Sequence, residues 1–160
     1  MNDKEKDILW APWRIGYVTA PEAEGCIFCN KAASSEDEKN FILYRGEYAF
    51  ALLNIYPYNN GHLMIAPYTH TGNLTDIEPG ILHEMQDTVQ RFVSKITDEM
   101  QPQGFNIGMN LGRTAGAGIE DHLHIHVVPR WNGDTNFMPV IGDQKVLSES
   151  LESAYSRLKL

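Results

Sequence analysis

Residues His122-Leu123-His124-Ile125-His126-Val127 set three histidines at strict period two, each followed by an aliphatic residue. In extended backbone successive side chains alternate faces, so the run predicts a strand with three imidazoles on one face and Leu123, Ile125 and Val127 on the other. Val128 and Pro129 continue it, and the proline marks where the strand stops. Chemistry is thereby assigned to one face and core to the other. Imidazole exchanges protons and attacks or binds phosphorus and metals near neutral pH. One histidine in a strand is more often a satisfied polar residue, but three in register read as a reactive row. Neighbours at i and i+2, about 6.6 Å apart along a strand, can also share one metal. Asp121 falls on the opposite face and cannot join such a site without a bulge.

Around this row the chain reads as α+β. Phe41–Tyr44, Tyr48–Leu53 and His62–Pro67 have strand composition, the first two joined as a hairpin across Arg45-Gly46-Glu47, with a turn-rich Tyr56–Gly61 before the third. Thr75 and Glu78 match a capping box, and Ile81, Met85, Val89, Phe92, Ile96 and Met100 recur at helical spacing, predicting a long helix with one buried face. Phe105–Asn110 returns as a strand, and Leu147, Leu151, Tyr155 and Leu158 suggest a C-terminal helix. Short connections between strands predict an antiparallel sheet of about five strands with the long helix on one face. Residues 1–160 fit a single domain, 42% hydrophobic, with an N-terminal arm over 1–20 whose Trp10 and Trp13 are too apolar to leave in water.

A formal charge of −8 argues against a nucleic-acid backbone or an anionic membrane as partner. A polyanionic small substrate must then be held locally. No stretch approaches the roughly 20 apolar residues of a membrane span, and Met1–Asp7 lacks a signal peptide's apolar region, so the expected location is cytoplasmic.

Two further features bear on chemistry. In Gly112–Gly118 the glycines let backbone N–H groups converge on an anion, although without a Gly-Lys-Ser/Thr ending this is not a P-loop. Its position beside the histidine row makes it the candidate phosphate cradle, with Gly116, Ala117 and Gly118 as donors and Asn110 at the preceding strand end. Cys26-Ile27-Phe28-Cys29 is half a zinc site, a redox pair or incidental. With two cysteines in the chain, a tetrahedral site needs two more ligands, and histidine is the obvious source.

His122–Val128 resembles the signature of the histidine triad superfamily of nucleotidyl hydrolases and transferases, with every position of the pattern filled. The resemblance extends to Asn54, Gly61-His62, Asn110–Gly118 and Pro129-Arg130, covering most of residues 26–140. Leu9–Arg14, Trp131 and Asn136-Phe137-Met138 further resemble a prokaryotic branch associated with diadenosine polyphosphate phosphorolysis or hydrolysis. The resemblance implies that His124 is the nucleophile, forming a nucleotidyl-histidine, while His126 donates to phosphate or leaving-group oxygens. It places Asn110 on an α-phosphate oxygen, and Asn54 and His62 along the nucleoside side of the pocket. Similarity to galactose-1-phosphate uridylyltransferase and to bacterial triad proteins implies one structural zinc on Cys26, Cys29, His70 and His122.

A homodimer is also implied, and magnesium can accompany the polyphosphate. A loop serine of the phosphorylase-like pattern has no counterpart in Gly116-Ala117-Gly118-Ile119, so the acceptor, water or orthophosphate, stays open. The alternatives are a zinc-stabilised purine-nucleotide-binding module or a nucleoside phosphoramidase with low turnover on dinucleotides. A purely metal-dependent His-x-His hydrolase would leave Asn110 and the glycine loop without a role. His83 receives no role, and Trp131 reads as core rather than as a base-stacking ring.

Overall fold

Alternating and continuous apolar runs pair into one antiparallel sheet in a computed structural model that describes residues 25–135 and 146–160. The strands are β1 (Ile42–Arg45), β2 (Ala49–Leu53), β3 (Leu63–Pro67), β4 (Gly104–Gly108) and β5 (Ile125–Arg130), in the order β1-β2-β3-β5-β4. The α+β fold with a five-stranded antiparallel sheet is the one expected. β5 lies between β3 and β4, with Met64 opposite His126 on one side and Gly108 opposite His126 on the other.

The period-two pattern divides the side chains between two cores. Ala49, Ala51, Leu53, Leu63, Ile65, Ile125 and Val127 pack beneath the long helix α3 (Pro79–Met100) and the C-terminal helix α4 (Leu151–Leu158). Ile42, Phe50, Leu52, Met64 and Ala66 face the other way, onto Phe28 of α1 (Ile27–Ala33). Because β2 and β3 are buried on both faces, they read as near-continuous apolar runs.

The long helix buries Met85, Val89, Phe92 and Ile96 as its periodicity requires, together with Thr88, whose hydroxyl donates to the Glu84 carbonyl at 2.8 Å. Its start differs from expectation. Thr75 lies in a separate 3₁₀ turn, Leu74–Asp76, where the Asn73 side chain accepts its N–H, and Glu78 makes no side-chain cap bond. Pro79 at the first helical position begins the helix instead, since its ring presets φ and it has no N–H to satisfy. Ser150 caps α4 by accepting the Ser153 N–H, leaving Leu147 outside the helix.

Two short helices, α1 and α2 (Asp37–Asn40), precede β1 where no element was anticipated. Arg45 braces them, donating to the carbonyls of Ala32 at 2.7 Å and Ser34 at 2.6 Å and to the Asp37 carboxylate at 2.8 Å. The N-terminal arm and Asn136–Met138 lie outside the described residues. Among the described residues no helix is long and apolar enough to cross a membrane.

Candidate active site and metal centre

The histidine run does not form one regular strand. β5 begins at Ile125, which pairs with Ile65; continuing that register would set Leu123 against Pro67, which has no N–H to contribute. The chain follows the 70s segment instead, with the Leu123 N–H donating to the Thr71 carbonyl at 2.7 Å. A side chain at Gly72 would overlap the Glu120 carbonyl oxygen, so this close approach requires glycine there. The three rings nevertheless share a face. Phe28 packs on His122 and His124 with centroids 5.0 and 4.9 Å away, and His124 meets His126 at 4.7 Å.

At one end of the row the Gly72 approach carries His70 to within 3.3 Å of His122, Nδ1 to Nδ1. Cys26 and Cys29, three residues apart at the start of α1, meet these rings: Cys26 Sγ lies 3.2 Å from His122 Nδ1, and Cys29 Sγ lies 3.4 Å from His70 Nδ1 and 3.6 Å from His122 Nδ1. All four ligand atoms fall within 4.8 Å of one another. A tetrahedral zinc site with ordinary Zn–N and Zn–S bonds has edges of roughly 3.3 to 3.8 Å, and the four contacts of 3.2 to 3.6 Å lie close to that range. The His122 Nε2–H donates to the Pro67 carbonyl at 2.9 Å, so its Nδ1 lone pair points into the cluster, the outer-shell arrangement usual for a ligating histidine. Burial, and then the adjacent Cys26, raise the Cys29 thiol, so side-by-side thiolates here require a cation. The four residues form a candidate metal site whose donors suit zinc.

The other members of the row have tautomers set by their partners. A carbonyl can only accept, so the 2.9 Å contact between His124 Nδ1 and the His122 carbonyl places the proton on Nδ1 and the lone pair on Nε2. Burial lowers the pKa of His124 and keeps it neutral. Next to it, the Tyr58 backbone N–H donates to His62 Nδ1 at 3.0 Å, so that nitrogen is unprotonated and Nε2 carries the hydrogen. His62 Nε2–H then donates to His126 Nδ1 at 3.0 Å, leaving the His126 Nε2–H as a donor. Burial first, then the neighbouring imidazoles, lowers His62 to about 3 and His126 to about 4.

Other expected site residues are arranged less simply. His62 is fully buried with both ring nitrogens engaged, Nδ1 by the Tyr58 N–H and Nε2 by His126. Asn54 Oδ1 accepts the Tyr56 N–H at 2.9 Å, and its Nδ2 lies 3.4 Å from His62 Nδ1. Asn110 lies two residues beyond Gly108, the last residue of β4, which pairs with His126, and its Nδ2 donates to the Gly116 carbonyl at 3.4 Å. The loop uses two of its expected anion donors for its own closure: Gly116 N–H goes to the Arg113 carbonyl and Ala117 N–H to that of Gly112.

Trp131 is half-buried, its indole N–H donating to the Met100 carbonyl at 3.3 Å, and it belongs to neither hydrophobic core. Sequence reasoning missed Phe28, Tyr58 and Arg45. For Phe28 the available signal was an aromatic between two candidate ligands; the parts played by Tyr58's backbone and by Arg45 depend on tertiary contacts. Five of the chain's six histidines stand in one connected site, and His83, exposed on α3, is the exception.

Residues 35–133 match the model of the HIT domain. The chain belongs to the HIT family. This HIT protein is 39% identical to the AP-4-A phosphorylase of Mycobacterium tuberculosis, over 89% of this chain and 77% of that one. It is also similar to a crystal structure of a Zn-bound histidine triad family protein from Mycobacterium smegmatis, with a TM-score of 0.68 and 31% identity over 84% of this chain and 91% of the other. A hypothetical histidine triad nucleotide-binding protein from Sulfolobus tokodaii gives a TM-score of 0.66 at 27% identity, covering 84% of this chain and 89% of the other.

Proposed function

We propose that this HIT protein cleaves dinucleoside polyphosphates, such as diadenosine tetraphosphate, at an α-phosphate through a covalent nucleotidyl-histidine. The observation that carries the reading is the fixed tautomer of His124, a buried neutral imidazole whose Nε2 holds a lone pair while Nδ1–H is anchored to backbone. Its Nε2 forms a bond to the α-phosphorus as the bond from phosphorus to the bridging oxygen breaks, and that electron pair leaves with the nucleoside polyphosphate. The His126 Nε2–H donates a hydrogen bond to the oxygen as it gains charge, held in aim by His62. An acceptor oxygen then attacks phosphorus and the P–N pair returns to His124. Water gives the nucleoside monophosphate and a proton released to solvent; orthophosphate gives the nucleoside diphosphate.

The similarity to an AP-4-A phosphorylase supports the substrate class and activity at a nucleotide phosphate. In the same reading Asn110 and the Gly116–Gly118 turn border the phosphates, with the Gly116 and Ala117 N–H groups exchanging their bonds within the loop for phosphate oxygens, Asn54 approaches the ribose, and any magnesium arrives with the polyphosphate. Zinc on Cys26, Cys29, His70 and His122 is structural: it fixes α1 and His122, and hence the carbonyl that orients His124. The two free cysteines agree with a cytosolic location, and the exposed Ile107 on edge strand β4 with a homodimer.

The deciding experiment incubates the protein with diadenosine tetraphosphate, with and without orthophosphate, and separates the nucleotides. ATP with ADP identifies phosphorolysis, and ATP with AMP identifies hydrolysis. Tight binding with neither product refutes the catalytic reading in favour of a nucleotide-binding module, and turnover confined to adenosine phosphoramidate favours a phosphoramidase.

A further inference from the structure

Among the described residues the reactive row has one closed end and one open end. At His122 it ends in the cysteine and histidine cluster, and Phe28, fully buried, covers both His122 and His124. At the other end, beyond His126, stands Tyr58. Its ring centroid lies 4.6 Å from that of His62 and 5.7 Å from that of His126, yet the residue is 57% exposed.

We infer that Tyr58 is the stacking surface for the departing nucleoside, the second base of a dinucleoside substrate. The inference rests on the catalytic reading above and adds to it a binding site on the leaving-group side. His126 turns Nδ1 to His62 and presents Nε2–H on the other side of its ring, and with the His122 end covered by Phe28 and the cysteine and histidine cluster, the departing polyphosphate leaves by the His126 end, which Tyr58 borders. A flexible polyphosphate lets its nucleoside fold onto an aromatic face at that distance. The face is held ready before substrate arrives. Tyr58 N–H is fixed to His62, and the following residue, the buried Asn59, donates to the Pro129 carbonyl at 3.0 Å and to the Asp134 carboxylate at 2.8 Å. An uncharged ring suits a protein of charge −8 that must gain affinity for a polyanion without a field of cations. Stacking accepts any base, because every base has a π-face, so the second base is not selected.

The test compares kcat/KM for diadenosine tetraphosphate with that for adenosine 5′-tetraphosphate, which presents the same α-phosphate and polyphosphate but no second nucleoside. Tyr58→Ala lowers the preference for the dinucleoside about tenfold, mainly through KM, whereas Tyr58→Trp keeps it within about twofold. An unchanged ratio in Tyr58→Ala overturns the inference, whether both rates fall together, which would make Tyr58 only a brace for His62, or neither falls. Should Tyr58→Ala fail to fold, Tyr58→Leu keeps bulk without a stacking face and reads the same ratio. If wild-type protein turns over neither substrate, the catalytic reading is what fails. Calorimetry then supplies the ratio: a tenfold loss of affinity for diadenosine tetraphosphate relative to ATP in Tyr58→Ala supports the stacking site, and no change overturns it.

Discussion

A neutral imidazole attacks phosphorus only through the nitrogen that bears no proton, so the partner of the other nitrogen decides whether a histidine is a nucleophile. At His124 that partner is a backbone carbonyl, which no side-chain substitution elsewhere removes. His124→Ala is expected to lower kcat by about 10³ or more while nucleotide binding persists; steady-state turnover above about a tenth of wild type would refute the nucleophile assignment. His62 and His126 make a second residue-scale prediction. In the unfolded chain both titrate near 6.5, and in the folded protein at about 3 and about 4, so below pH 6.5 the unfolded state binds more protons. Stability is therefore full above about pH 6.5 and falls as pH drops towards 4 and then 3. For buried His62 the loss by pH 5 is on the order of 2 kcal/mol. Urea midpoints at pH 7 and pH 5 measure it, and His62→Gln should show a shallower acid slope than wild type. Equal slopes would mean that His62 titrates normally. The alternation of the row was legible in the sequence, but the protons were not. They depend on Pro67, Tyr58 and the His122 carbonyl, which only the fold brings into contact.

Among the elements, the metal cluster joins the short helix α1 to the histidine row, and seven residues are too few to hold a helix in place unaided. Arg45 anchors its C-terminal end and the cysteines its start. Wild-type protein purified without chelator should contain about one equivalent of zinc per chain, and Cys26→Ser with Cys29→Ser should release it and lower the melting temperature. Metal-free wild type, or a double variant that keeps its zinc, would defeat the assignment. What the sequence showed at this scale follows the length of the pattern. Six apolar positions at helical spacing announced α3, and alternation announced the strands. By contrast, α1 and α2 depend on Arg45, the start of α3 belongs to Pro79, and the strand break before Ile125 comes from Pro67. The ligand set could be named through family resemblance; that Gly72 must be small enough to let His70 reach His122 could not.

For the molecule as a whole, the two edges of the sheet are treated differently. On β1 the Leu160 N–H donates to the Leu43 carbonyl and Phe41 packs against the core beside it, so that edge is partly covered. Among the described residues β4 is open: Asn106, Ile107 and Gly108 are exposed, with Ile107 at 47% and nearby Leu111 at 46%. An unpaired strand with an exposed β-branched side chain is a template for another chain, and a second copy pairing there would join two sheets across the strand that leads to Asn110. We expect sedimentation to show a dimer in wild-type protein and a monomer in Ile107→Pro, which removes a backbone donor and the side chain together. Ile107→Ala, retaining the donor, should weaken association without abolishing it. Since Asn110 lies three residues beyond Ile107, the monomeric variant should also lose phosphate affinity, read as a rise in KM larger than any fall in kcat. A wild-type monomer at micromolar concentration, or an Ile107→Pro protein that stays dimeric, would place the association surface elsewhere.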